Sequence, residues 1–171
     1  IGLSDLRLEL NSVGTPACRP AHRAALQDHF RRNLARLSED SQRRFETNPL
    51  RILDSKDPRD QEFIAGAPAM LDYLDDEAAD HFARVRAGLD NLGLAYTVNP
   101  RLVRGLDYYQ KTAFEVVSGA LGSQNVVLGG GRYDGLLEQV GGPALPGVGW
   151  GSGIERALLI LEQGEAPLGA R

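Results

Sequence analysis

Residues 101–109 bring two arginines, an acid and two tyrosines into one short stretch, namely Arg101, Arg104, Asp107, Tyr108 and Tyr109. A guanidinium presents a planar fork of donors that suits a carboxylate or a phosphate. A tyrosine ring supplies a flat apolar wall with a polar tip. The set indicates a site for a small anionic ligand that carries a ring. The competing interpretation is an Arg–Asp pair at a strand edge beside two half-buried tyrosines.

A second candidate begins with three glycines at residues 129–131, followed by Arg132, Tyr133 and Asp134. Glycines let a backbone approach a ligand without obstruction by side chains. We expect Arg132 to pair with Asp134 and Tyr133 to point into a pocket. The stretch is not a P-loop, because the Gly-Lys-Ser/Thr ending is missing. A tight hairpin turn is the alternative interpretation.

A third candidate is a strand with alternating glycines, Gly147, Gly149, Gly151 and Gly153, placed before an apolar helix. Such glycines thin one face of the strand, so a flat ring can lie against it. Arg156 falls in the first turn of the helix, where the helix dipole disfavours a cation. We therefore expect an anionic ligand at Arg156, with a nearby carboxylate as the alternative. The flanking sequence lacks the βαβ context of a dinucleotide site.

Other catalytic groups are scarce in the sequence. The histidines, His22, His29 and His81, fall in predicted helices without the i, i+4 spacing of metal ligands, so we predict no metal held by protein ligands. Ser152 lies between two glycines, but no histidine follows it to act as a base. The single cysteine, Cys18, excludes an intrachain disulfide framework and a cysteine zinc cluster.

The elements that must position these residues follow from hydrophobic patterning. Leu6, Leu8 and Leu10 alternate with charged residues and predict a half-buried strand over residues 3–11, followed by a turn over residues 11–16. Further short strands are predicted over residues 95–99, 113–118 and 124–128, the last directly before the three glycines. Strands without regular βαβ alternation favour an α+β fold with an antiparallel sheet.

Helices are predicted over residues 20–37 and around the apolar stripe from Phe82 to Leu92. Asp75, Asp76 and Glu77 suit the N-terminus of the second helix, and Gly93 suits its stop. A final apolar run, Ile154, Leu158, Leu159 and Leu161, predicts a buried helix that ends near Gly164. We expect three parts: a catalytic-domain strand and turn at 1–18, a helical insertion domain at 19–95, and the rest of the sheet domain at 96–171. Residues 19–59 are net basic, either as a binding face or as a solvated helix surface.

Composition sets the class of protein. The 171 residues carry 19 Lys and Arg against 23 Asp and Glu, a formal net charge of -4, and 42% of them are hydrophobic, which is ordinary for a globular chain. We find neither an apolar run long enough to span a membrane nor a secretory signal, and expect a cytoplasmic protein without membrane association. The chain begins with Ile1 rather than Met, and we expect it to be part of a longer protein.

Taken in order, the three candidate stretches resemble the histidyl-tRNA synthetases, which are class II aminoacyl-tRNA synthetases. Residues 104–109 and 130–135 look like the two histidine signatures of that family, and residues 149–156 look like class II motif 3. The likeness extends through residues 8–14, 47–56 and 95–99, and so covers nearly the whole chain. It implies a class II catalytic domain with a helical insertion domain.

The resemblance implies a histidine–tRNA ligase, which joins histidine to ATP, releases pyrophosphate and transfers the histidine to tRNA(His). It implies that Arg104 is the catalytic arginine, bridging the histidine carboxylate and the α-phosphate. It also implies that Tyr108, Tyr109 and Tyr133 line the histidine pocket. Fixed cations are the largest available help where charge develops on phosphate oxygens.

For ATP, the resemblance implies that Arg156 contacts a phosphate and that Gly149, Gly151 and Gly153 form the floor under adenine and ribose. Mg²⁺ accompanies ATP in this family and is held largely through the phosphates. The basic helical insertion would reach the acceptor arm of tRNA(His). The full-length protein would be a homodimer.

Class II motifs 1 and 2 and an anticodon-binding domain are absent from this sequence, so we predict that the chain alone does not aminoacylate. Two related binding modules are alternatives: the regulatory subunit of ATP phosphoribosyltransferase and the RNA-sensing synthetase-like domain of a stress kinase. Both tend to lose the signature residues, whereas this chain keeps them.

Overall fold

A five-stranded sheet organises the computed structural model, which describes residue 3, residues 5–103 and residues 108–163. The strands are β1 (Leu6–Gly14), β2 (Tyr96–Val98), β3 (Gln110–Ser118), β4 (Val126–Tyr133) and β5 (Gly147–Ser152). Their order across the sheet is β2-β1-β3-β4-β5, with β1 and β2 parallel and the other neighbours antiparallel. The predicted α+β class with a mainly antiparallel sheet is confirmed.

Four helices lie between β1 and β2 in the chain, and two follow β4. They are α1 (Arg19–Arg31), α2 (Glu39–Thr47), α3 (Pro58–Ala65), α4 (Asp76–Asn91), α5 (Leu136–Gln139) and α6 (Ile154–Gln163). The helix predicted over residues 20–37 is too long, because Asn33 leaves the helical conformation at φ -130° and a separate 3-10 turn follows at Leu34–Arg36.

Helix α4 agrees with its sequence signals. Asp75 caps its N-terminus, where a carboxylate oxygen accepts a hydrogen bond of 2.8 Å from the Ala78 N–H. At the other end Gly93 adopts a φ of +66°, a conformation that glycine reaches without steric cost. The predicted start and stop of this helix are therefore confirmed.

Two predictions about the sheet are wrong. Residues 11–14 continue β1, with Asn11 opposite Ala113, where a turn was expected. The glycines at 129–131 lie inside β4 rather than after a strand. Strand pairing itself requires one of them, because a Cβ on Gly130 would lie 2.3 Å from the Gly149 carbonyl oxygen.

The largest group of buried apolar side chains lies among the helices. It comprises Leu26, Phe30, Leu37, Phe45, Ile52, Leu53, Phe63 and Ile64. Helix α6, in contrast, is not the buried helix that was expected: Ile160 is buried, but Ile154, Leu158 and Leu159 are exposed. Its apolar stripe is not covered by the residues that the structure describes. No helix in this part of the chain is long and apolar enough to cross a membrane.

Candidate functional site

Three tyrosines from two separate stretches meet at one end of the sheet. The ring centroids of Tyr108 and Tyr109 are 4.8 Å apart, and those of Tyr108 and Tyr133 are 5.6 Å apart. Tyr109 and Tyr133 complete the triangle at 6.4 Å. Tyr109 is buried, while the other two are half-buried. The structure thus brings together the three aromatic residues singled out from the sequence.

Glycines on β4 and β5 make room for these rings. A Cβ on Gly131 would lie 2.6 Å from Cδ1 of Tyr109, and a Cβ on Gly149 would lie 2.8 Å from the hydroxyl oxygen of Tyr133. Gly131 and Gly149 are directly opposite each other in the two strands, so their Cβ positions share one sheet face. Gly147 lies on the same face, where its Cβ would be 2.3 Å from Cε2 of Tyr133. Glycine is therefore needed at these positions for the tyrosine rings to approach the sheet backbone so closely.

The same face continues into an open cleft of about 1110 Å³. Gly129 and Gly151 are paired in its floor, with Glu9, Glu115 and Arg156 around it. A Cβ on Gly151 would meet none of the described residues within 4 Å. Gly149 is covered by a tyrosine, whereas Gly151 faces open space. The cleft thus combines an open glycine backbone with carboxylate and guanidinium groups.

Arg156 lies at the edge of this cleft. Its guanidinium donates a hydrogen bond to the Val126 carbonyl oxygen at the start of β4. The aliphatic part of the same side chain lies next to Gly153, where an added Cβ would be 3.4 Å from Cδ of Arg156. The partner found here is a backbone carbonyl rather than the carboxylate considered as an alternative. This bond fixes the guanidinium beside the cleft.

The predicted pair between Arg132 and Asp134 is confirmed, with Nε and Oδ1 2.7 Å apart. Lys111 joins the same carboxylate at 3.2 Å and also reaches Glu77 of α4 at 2.7 Å. Burial alone would raise the pKa of Asp134, but hydrogen bonds from Arg132 and Lys111 outweigh it, so the pKa is lowered. The turn after β4 is thereby tied to α4.

Several residues that shape the site carry no signal in the sequence. Arg19 at the start of α1 donates to the carbonyl oxygens of Val13 and Tyr109, and so holds one pocket tyrosine from the helical side. Glu9 accepts a hydrogen bond of 2.6 Å from the Asn99 side chain. Tyr109 and Asn99 lie far along the chain from their partners, and no local pattern predicts such contacts.

Arg104, the predicted catalytic residue, lies outside the described residues together with Asp107. Within the described ranges, no group of three or more His, Cys, Asp and Glu side chains is close enough to hold a metal ion. The arrangement that remains is a cluster of three tyrosine rings beside an open backbone floor with a fixed cation at its edge. Such a site suits a small aromatic ligand next to an anionic one.

Comparison with known proteins gives a consistent result. A family model for histidyl-tRNA synthetase matches residues 8–157. A histidine–tRNA ligase from Novosphingobium aromaticivorans is 58% identical over 170 residues, covering 97% of this chain and 41% of that protein. One from Protochlamydia amoebophila is 54% identical over 168 residues, covering 98% and 40%. This chain therefore spans about 40% of the length of these relatives.

Among solved structures, the apo histidyl-tRNA synthetase of S. aureus superposes on this chain with a TM-score of 0.67. The two sequences are 41% identical, and the match covers 94% of this chain and 39% of the other.

Proposed function

The chain belongs to the histidyl-tRNA synthetase family, and we propose that the protein containing it activates histidine with ATP and transfers it to tRNA(His). The observation that carries this proposal is the continuous sheet face on which two tyrosines lie against Gly131 and Gly149 and which opens at Gly151. The tyrosine rings would bind histidine and the open glycine floor would bind the nucleotide beside it, as adenylate formation requires.

The pocket formed by Tyr108, Tyr109 and Tyr133 would hold the imidazole of histidine. Its support is the contact among the three rings, each of which supplies an apolar face and a phenolic hydroxyl group. Arg104 would direct the histidine carboxylate towards ATP, a role inferred from its match to the first histidine signature.

In the first step, an oxygen of the histidine carboxylate attacks the α-phosphorus of ATP, the bond from that phosphorus to its bridging oxygen breaks, and pyrophosphate leaves. Negative charge develops on the α-phosphate oxygens, and Arg104 and Arg156 would stabilise it by fixed hydrogen-bond donors. Gly149, Gly151 and Gly153 would lie under adenine and ribose. A hydroxyl at the 3′ end of tRNA(His) would then attack the carbonyl carbon of the adenylate, with AMP as leaving group.

The cleft also suits the Mg²⁺ that accompanies ATP. Glu9 and Glu115 lie directly opposite each other on the cleft face, and Mg²⁺ bound to nucleotide phosphates commonly takes only one or two protein carboxylates. The ion would neutralise charge on the phosphates. The carboxylates would accept hydrogen bonds from water bound to the ion, which would be held through the phosphates.

The remaining partners follow the family. The net basic part of the helical insertion, residues 19–59, would approach the acceptor arm of tRNA(His). We propose a cytoplasmic homodimer for the full-length protein, and we expect the chain described here to be inactive alone, since it spans about 40% of its relatives. Histidine-dependent pyrophosphate exchange by this chain alone would contradict that expectation.

The test is ATP–pyrophosphate exchange by the full-length protein with each of the twenty amino acids, beside its Arg104→Ala variant. We expect exchange with histidine and with no other amino acid, reduced at least about a hundredfold by the substitution, because one lost charge-stabilising contact costs about 3 kcal/mol. Absence of exchange with every amino acid would refute the proposal. Capture of a phosphoribosyltransferase subunit would then favour the regulatory alternative.

A further inference from the structure

The side chain of Asn11 fastens the segment that leads to Arg104. Asn11 lies in the middle of β1, is 1% exposed and pairs with Ala113 of β3. Its amide nitrogen donates to the Pro100 carbonyl oxygen at 3.2 Å and to the Leu102 carbonyl oxygen at 3.0 Å. Both donors of one buried amide are therefore used on a single turn of backbone.

Neighbouring contacts hold the same turn. The Asn99 N–H donates to the Leu10 carbonyl oxygen at 2.8 Å, and the Leu102 N–H donates to the Asn99 carbonyl oxygen at 3.0 Å. Leu102 is buried, and Val103 packs against the apolar cluster of the helices. Residues 99–103 are thus fixed from both sides, and Arg104 is the next residue in the sequence.

We propose that Asn11 is a positioning residue for Arg104, which it serves by fixing the backbone from which that arginine extends. This inference rests on the proposed function, in which Arg104 contacts the histidine carboxylate and the α-phosphate. A displacement of about 1 Å at a reacting centre can cost a hundredfold in rate, so a rigid approach segment has a direct effect on catalysis.

The amide at this position has a cost as well as a benefit. The side-chain oxygen of Asn11 is buried and has no hydrogen-bond partner among the described residues. An apolar side chain of similar volume would avoid that cost, but it would leave the Pro100 and Leu102 carbonyl oxygens without their donor. The amide nitrogen donates to both carbonyl oxygens, while the amide oxygen stays unpaired.

The test is a double-mutant cycle in the full-length protein, with histidine-dependent pyrophosphate exchange as the readout. We expect Asn11→Ala to lower kcat between about tenfold and a hundredfold, with a smaller change in KM for ATP. In the Arg104→Ala background, measured at higher enzyme concentration, the same substitution should lower kcat less than about twofold. Ser12→Ala is the matched control: Ser12 is fully buried beside Asn11 and bonds locally to the Gly14 N–H, and its variant should stay within about twofold of wild type.

An equal fall in kcat in both backgrounds would overturn the inference, because Asn11 would then act independently of Arg104.

Asn99→Ala provides a second test if Asn11→Ala does not fold, since Asn99 is half-buried and holds the same turn. It should lower kcat severalfold and show the same loss of effect beside Arg104→Ala. Additive effects would again overturn the inference. A wild-type protein without histidine-dependent exchange would refute the proposed function itself, and the inference with it.

Discussion

The helical region from α1 to α4 and the sheet end from β4 to α6 are built in opposite ways. The helices enclose a cluster of buried apolar side chains, and their one fully buried carboxylate, Asp60, accepts four hydrogen bonds. At the sheet end, Trp150 is 65% exposed and Ile154 is 73% exposed, and glycines replace side chains along β5.

This difference separates the source of stability from the proposed place of chemistry. Buried apolar area and satisfied polar groups hold the helices together. The sheet end has less side-chain packing, and its glycines leave the backbone open where we propose that substrates bind. Substitutions should therefore change unfolding in the first region and substrate binding in the second.

The largest loss of stability is expected from a substitution at Asp60 in the helical region. Its carboxylate accepts from the Ser38 N–H at 2.7 Å and from the hydroxyl groups of Ser38, Ser41 and Ser55 at 2.8, 2.6 and 2.6 Å. Asp60→Ala leaves these donors without an acceptor and should lower the free energy of unfolding by about 3 kcal/mol or more. Urea unfolding of the chain, followed by circular dichroism, measures this loss.

The pH dependence gives an internal control. Burial alone would raise the pKa of Asp60, but hydrogen bonds from Ser41, Ser55 and Ser38 outweigh it, so the pKa is lowered from its usual 3.8. Stability from a carboxylate with a lowered pKa is present above the unfolded value and is lost as pH falls through the folded value. The difference in free energy of unfolding between wild type and Asp60→Ala should shrink below about pH 3.8.

Asp54→Asn, at an exposed carboxylate nearby, should change the free energy of unfolding by less than about 0.5 kcal/mol. An equal loss in both variants would contradict the distinction.

The second prediction compares two glycines on the sheet face. Gly131→Ala places a Cβ 2.6 Å from Cδ1 of Tyr109 and 2.7 Å from the Thr112 carbonyl oxygen. Because backbone must shift to relieve that contact, we expect a loss of about 2 kcal/mol in the free energy of unfolding. Gly151→Ala meets no described residue within 4 Å and should leave this free energy within about 0.5 kcal/mol.

For substrate binding we expect the opposite: the substitution that leaves the free energy of unfolding unchanged should weaken ATP binding. In the full-length protein, Gly151→Ala should raise KM for ATP severalfold while unfolding stays unchanged, because the added methyl group enters the floor of the cleft. An unchanged KM for ATP would place the nucleotide elsewhere. Denaturant unfolding and pyrophosphate exchange on the same preparations separate the two outcomes.

The smallest expected effect concerns His22, which is fully buried in α1. Its Nε2 is 2.9 Å from the Pro68 carbonyl oxygen, while Nδ1 has no partner among the described residues. Burial lowers the pKa of His22 from its usual 6.5, and the Pro68 bond only partly opposes this shift. Protonation of this ring therefore favours the unfolded chain.

Wild-type stability should fall as pH decreases below about 6.5, by at most about 1.4 kcal/mol for each unit of pKa difference between the folded and unfolded states. Thermal unfolding across that range should show a shallower slope for His22→Gln. Identical slopes in both proteins would assign the acid sensitivity of this region to other groups.

Sequence patterns predicted the elements whose signals are local. Helix α4 has its cap at Asp75, its stop at Gly93 and a regular apolar stripe, and all three are read from neighbouring residues. The glycines at 129–131 were misplaced because the same composition serves a turn and a strand that packs closely against its neighbours. The exposure of α6 could not be predicted either, since an apolar stripe does not reveal what covers it.

The candidate site shows the same division. The tyrosines and Arg156 were found from their types and their resemblance to known motifs, and the structure groups the tyrosines and puts Arg156 at the cleft edge. Asn11 and Arg19 were missed as contributors, because each acts on a carbonyl group about ninety residues away. Such contacts depend on the three-dimensional path of the chain, which no periodicity in the sequence describes.

The pairing of β1 with β3 also sets an order of assembly during synthesis. Asn11 and its partner Ala113 are separated by about a hundred residues, and all four helices of the helical region lie between them. At about 5–20 residues per second, β1 leaves the ribosome roughly 5–20 seconds before β3 is complete. The apolar cluster of the helices is local and can collapse during that interval, whereas the sheet must wait. The nascent chain can therefore pack its helices before β1 and β3 are both available to pair.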